Sequence, residues 1–272
     1  MKKLFYIFFL LVGVGLFAET ESKKNDAKSV STNEVKKVIV ATRGDIKVIE
    51  ASENIRYLSQ KIVKDYIFFY QHQNKLLVKK KLNQALLSLT EDLRVIATTT
   101  KDSDTKDILE FLAYSKDQIE EIFQDKSDKE KVALMLDYSE TLLEGADSIA
   151  YAHKYDFSKE EEMLMITKEM EYLLERITKY YMALHVGFDS KTNKEQMKDS
   201  ILRFEANIEH INRYEYPHEY DDVQSLINKS WKINKIFFDK SENLFIPKLM
   251  FTSIEYMEDL VTKIALYHAK NQ

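Results

Sequence analysis

Asn54-Ile-Arg-Tyr-Leu-Ser-Gln-Lys-Ile-Val-Lys64 returns 115 residues later as Glu169-Met-Glu-Tyr-Leu-Leu-Glu-Arg-Ile-Thr-Lys179. The same shift lays Leu82 on Met197, Leu86 on Ile201, Leu87 on Leu202, Leu93 on Ile208 and Ile96 on Ile211. It also lays Leu134-Met135 on Leu249-Met250, Glu140 on Glu255, Ile149-Ala150 on Ile264-Ala265 and His153 on His268. A period this long describes two copies of a domain-sized unit, not a short-period solenoid. The copies act as an internal control. A residue kept in both is expected to be architectural, and one found in a single copy is a candidate for function or drift.

Working outward, apolar residues recur at helical spacing. Ile55, Leu58, Ile62, Tyr66 and Phe69 set a first helix over about Lys47 to Gln73. Leu82 to Ile96 mark a second, and Ile108 to Ile122 a third with Asp104 as its N-cap. Leu134, Tyr138, Leu142 and Ile149 mark a fourth. In the second copy Ser158-Lys-Glu-Glu161 has capping-box spacing, and Gly187 closes the helix it opens. The next helix is expected over Lys194 to Ile211. Pro217 then breaks the chain, and Pro247 stands in the first turn of the last helix. The expected fold is all-α: two tandem four-helix bundle-like repeats, 43–156 and 157–272, in series or packed side by side. Tyr155-Asp156-Phe157 is the short junction between them.

Five glycines, two prolines and 31% charged residues fit long helices with short turns. Met1-Lys2-Lys3, the apolar run Leu4 to Phe17 and Leu16-Phe17-Ala18 read as a secretory signal over 1–18. The run is shorter than the roughly 20 residues of a spanning helix, although an uncleaved anchor is the other reading. Residues 19–42, rich in Ser, Thr, Asn and Lys, read as a flexible linker. The expected location is therefore the periplasm. The absence of cysteine removes disulfides, thiolate metal sites and a lipid-anchoring cysteine. A formal net charge of −5 gives no electrostatic footprint for nucleic acid.

Arg56, Leu58, Ser59 and Gln60, with Lys61 in place of a final arginine, resemble the motif of PilJ-type sensor domains. These are the N-terminal modules of type IV pilus methyl-accepting chemotaxis transducers. Tyr138-Ser-Glu-Thr-Leu-Leu143 resembles a later pattern of that family. The Ala-Gly-Arg half of the motif is replaced by Ser52, Glu53 and Asn54, and the second copy is degenerate. The resemblance implies an extracytoplasmic helical sensor. It also implies a small-ligand site, for an anion such as nitrate, at Arg56, Ser59, Gln60 and Lys61. The partners it implies are that small molecule, a membrane receptor or kinase carrying the signal onward, and a second copy in a homodimer. No cofactor is implied.

Read from the residues alone, Arg56 and Gln60 share a helix face at the rim of the core. They present planar donors to an oxyanion, or else Arg56 forms an ion pair with Glu171 or Glu175 of the other copy. His153 and His268 are expected to stabilise helix ends rather than bind metal. The polar turn Tyr214 to Asp222 is a weak cation candidate, and Glu160-Glu161-Glu162 a favourable helix start. Trp231, Tyr180-Tyr181 and Ile67 to Tyr70 are expected to pack. No nucleophile triad, phosphate loop or paired Glu-x-x-His motif stands at meaningful spacing, so a non-enzymatic role is expected. The alternative to a sensor is a ligand-free structural or protein-interaction scaffold.

Overall fold

The computed structural model describes residues 42–72, 76–241 and 244–272. The leader expected over 1–18, and the expected linker apart from Thr42, lie outside them.

Among the described residues eight helices follow one another: α1 Arg43–Gln71, α2 Leu76–Thr99, α3 Ser103–Gln124, α4 Lys129–Ala152, α5 Lys159–His185, α6 Lys191–Arg213, α7 Asp221–Asp239 and α8 Pro247–Asn271. A 3-10 turn, His218–Tyr220, leads into α7. Among the described residues there is no strand, and the fold is all-α. No described helix is long and apolar enough to cross a membrane.

Side-chain caps fix most of the helix starts. Thr42 accepts from the Asp45 amide while the Asp45 carboxylate accepts from the Thr42 amide, a complete capping box that opens α1 four residues before the expected start. Ser158 and Glu161 do the same for α5. Asp102, not Asp104, caps α3 through the Thr105 amide at 2.7 Å. Ser190 caps α6, which begins at Lys191 rather than Lys194. Gly187 ends α5 with φ +90°, a conformation that favours glycine. Pro247 opens α8, where its missing N–H costs nothing.

The connections resolve the arrangement left open by the sequence. In the first repeat α1 packs on α2 and α4, and α3 closes the ring between them. The second repeat copies this plan with α5 on α6 and α8 and α7 against α8, but α6 and α7 barely meet. The chain breaks between Ala152 and Lys159, so α4 does not run on into α5. The repeats lie side by side, with α1 packed against α5. Contacts between the two helices join residues about 115 apart: Gln60 to Arg176, Lys61 to Glu175 and Arg56 to the Tyr172 ring. The first helices of the repeats therefore run parallel and in register.

The core is continuous through both repeats. It includes Ile55, Ile62, Leu82, Leu89, Ile96, Met135, Leu142, Leu173, Ile177, Phe204, Met257 and Ile264. Trp231 is buried against Phe204, Tyr181 against Phe238 and Phe245, and Phe68 against Phe251. Near the ends, His153 Nδ1 meets Asp45 Oδ1 at 2.9 Å and His268 Nδ1 meets Glu160 Oε2 at 2.7 Å. Each histidine thus ties the last helix of its repeat to the first turn of that repeat's first helix. Tyr214 and Tyr216 of the polar turn pack around His268, and Tyr214 donates to Glu160.

Candidate functional site

The four residues singled out on α1 lie in or beside the seam between the repeats, and each is engaged inside the molecule. Arg56 binds Glu53 at 2.7 Å and Asp147 at 2.6 Å, and stacks 4.8 Å from the Tyr172 ring centroid. It does not reach Glu171 or Glu175. Ser59 donates back to the Arg56 carbonyl, as hydroxyls in a helix do when no better acceptor is near. Gln60 is fully buried rather than at the rim, because α5 covers it; its amide donates to Ser59 and its carbonyl accepts from Arg176. Lys61 takes Glu175 at 2.8 Å and reaches Glu258 at 3.6 Å.

Two buried charge clusters flank this seam. In one, Lys61 and Lys64 of α1 face Glu175 of α5 and Glu258 of α8, with Asp65 beside Lys64. Burial works against charge on Glu175, but Lys61 and Lys64 outweigh it and hold the carboxyl at about 2. Burial, then the Glu175 charge, drives Glu258 well above the ordinary carboxylate range. Burial raises Asp65 as well. In the other cluster, Arg176 and Lys179 of α5 converge on Glu140 of α4. Arg176 also donates to Gln196, and Lys179 to Ser139. Burial pulls Lys179 down to about 8. Glu140 stays near 2 despite burial, because Lys179 and Arg176 favour its charged form. The two clusters are reciprocal: in each, cations on one repeat's first helix reach an acid on the other repeat's last helix.

Below the clusters, toward the start of α1 and α5, two clefts are related by the repeat. The larger, about 650 Å³, is bordered by α1, α2, α5 and the end of α8. Asn54, Tyr57, Asp92, Lys168 and Glu171 are among its lining residues. The smaller, about 300 Å³, carries their counterparts Glu169, Glu53 and Arg56, and is bordered by Phe157 where the larger has Gln272.

Almost every polar contact of the small cleft has a counterpart in the large one. Arg56 with Glu53 becomes Glu171 with Lys168, the charges exchanged. Arg56 with Asp147 becomes Glu171 with Thr262. Asn207 donating to Glu169 becomes Asn54 donating to Asp92, amide and carboxylate exchanged. One contact has no counterpart. Arg203 neutralises Glu169 in the second repeat, and Ser88 stands at that position in the first. Asp92 therefore keeps a single hydrogen bond, from Asn54 at 2.5 Å, and no cation. Burial pushes its pKa up to about 6. Sequence reasoning passed over Asp92. The available signal was the substitution pattern of the repeat itself: Asn54 with Asp92 against Glu169 with Asn207, and Ser88 against Arg203.

Among the described residues no three His, Cys, Asp or Glu side chains gather as metal ligands. No family model matches the chain, and neither the curated proteins nor the solved structures contain a match.

Proposed function

We propose that this chain is an exported, all-α sensor-type binding module whose small ligand occupies the 650 Å³ cleft, with the Arg56 to Lys61 stretch serving as the lock between the repeats. The observation that carries this is the contrast between the two places. All four motif side chains are engaged by neighbours of the same chain, while the cleft one turn away is open and lined by polar groups. A pocket of this size, with a few convergent polar groups and a shifted carboxyl, is the usual setting for a small ligand. The basic start and apolar run at Lys2 to Phe17 support export, and the motif's likeness to PilJ-type sensors supports the sensing role. The ligand biases how α1 and α5 pack, and a membrane receptor or kinase reads that packing.

A thermal-shift screen of the purified chain against small anions including nitrate, organic acids and amines tests this. A stabilising compound is expected whose effect is lost in Thr98→Trp, which fills the cleft, and kept in Arg56→Ala. Loss in Arg56→Ala alone would return the site to the motif.

Silence across the screen would favour a second reading, a protein-interaction scaffold. Four repeat-equivalent pairs of apolar residues favour it: Leu87 and Leu202, Phe111 and Leu226, Leu134 and Leu249, Tyr151 and Leu266 are exposed in both copies. By the internal control, such retention marks them as part of the design rather than drift.

A further inference from the structure

We infer that the ligand of the large cleft is a small organic cation, an ammonium or guanidinium compound, bound by Asp92 and Asn54 where the second repeat places the Arg203 side chain. This deepens the binding-module reading and rests on it.

The argument comes from the internal comparison. The fold pairs an amide with a carboxylate at the same level of both repeats, Asn54 with Asp92 lining the large cleft and Asn207 with Glu169, of which only Glu169 lines the small one. In the second repeat the carboxylate is balanced by a guanidinium from the same chain, Arg203, whose Cζ also lies 5.9 Å from the Tyr172 ring. In the first repeat the carboxylate, the amide and the equivalent ring Tyr57 are all kept; Lys61 lies 5.1 Å from that ring's centroid, and no cation pairs with the carboxylate. The cleft there holds about 650 Å³ and has α2 as a wall, whereas the small cleft of about 300 Å³ is not lined by α6. A half-buried carboxylate without a counter-charge is costly, and its raised pKa records that cost. The neighbouring cations do not supply the missing charge. Lys168 is held by Glu171 and Arg94 by Glu91, and Lys47, on the α1 side of the cleft, is exposed and makes no ion pair with Asp92. A cation entering from solvent would find a carboxylate and an amide oxygen, the chemistry that recognises ammonium and guanidinium groups, beside a ring that already carries Lys61. An anion would meet Asp92 and Glu171 at the same wall.

Calorimetric titration of the purified chain with butylamine, putrescine and methylguanidine tests the inference. Saturable binding at pH 7.5 is expected for at least one, weakening at least tenfold at pH 5 as Asp92 takes up its proton. Asp92→Asn should abolish it. Ser88→Arg, which rebuilds the second repeat's arrangement, should abolish it too while leaving the helical circular dichroism unchanged. Binding that survives both substitutions, or no binding of any of the three, overturns the cation. If acids or neutral compounds bind instead and Thr98→Trp removes them, the binding module stands and the cation alone falls.

Discussion

The two buried charge clusters are built from equivalent positions and solve different problems. Around Arg176 and Lys179 there is one acid, Glu140, and it is partly exposed; neutral donors and acceptors from Gln60, Ser139 and Gln196 complete the set. Around Lys61 and Lys64 there are three acids, Glu175, Glu258 and Asp65, all buried. The first cluster carries an excess of positive charge and relaxes it by pulling Lys179 down to about 8. The second carries an excess of negative charge, and there burial and then the Glu175 charge drive the Glu258 pKa well above the ordinary carboxylate range. The pairing therefore takes opposite forms on the two sides of one seam. Desolvation sets the terms in both, since an unpaired charge in this interior costs several kcal/mol.

The largest expected effect breaks that contrast directly. Glu175→Ala takes from Lys61 and Lys64 the acid they share, leaving only the longer contacts to Glu258 and Asp65, and should cost about 3–5 kcal/mol in urea unfolding at pH 7. Glu140→Ala should cost roughly half as much, because water reaches its site and Gln196 and Ser139 remain as partners. Equal losses would mean that the two clusters are not energetically distinct.

A pH profile sharpens the comparison between the clefts. The Asp92 carboxyl titrates near 6 when folded and near its ordinary 3.8 when unfolded, so between those values the folded chain holds the extra proton. Stability contributed by that proton is present below about pH 4 and is lost as pH rises to about 6. Asp92→Asn should match the parent at low pH and exceed it above pH 6. A constant offset between the two melting curves would remove the unpaired carboxylate from the account.

The histidine ties offer a smaller test. His268 is fully buried and accepts or donates at both ring nitrogens, to Glu160 and Tyr216, while His153 is partly open. His268→Ala should cost about 2 kcal/mol and His153→Ala about 1, read from denaturant midpoints. Smallest of all, Thr42→Ala and Ser158→Ala remove capping boxes of the same kind, one residue out of step with the repeat, and each should cost about 1 kcal/mol. Unequal cap losses would show that the two repeats differ in stability well away from the charged seam.

The helices and their pairing into two like halves were readable from apolar spacing and the 115-residue shift, because burial of an amphipathic face leaves a periodic trace. Ser158-Lys-Glu-Glu161 announced its helix. Thr42-Arg-Gly-Asp45 did not, since Asp at the third position and a glycine inside the first turn make a weaker pattern. The buried ions were harder to see. Lys64, Asp65 and Glu175 fall at spacings that usually mark a wet face, and their burial comes from α5 and α8 closing over α1, a tertiary event. One trace was present: Lys64 and Lys179 are both lysine, and Glu140 and Glu255 are both glutamate, so the charge is retained where the hydrophobic stripe would tolerate variation. The cleft left almost none, because Asp92 acquires meaning only from the loss of Arg203's counterpart.

The parallel, in-register pairing of α1 with α5 bears on ancestry. Had the same helix met itself across a symmetric dimer, every residue gained by one chain would have appeared twice, and a glutamate at this position would have faced its own image. Joining the halves in one gene lifts that rule. Gln60 can stand on one side of the axis and Glu175 on the other. One half is then free to keep the molecule closed while the other opens a vacancy, a division of labour that identical protomers cannot inherit.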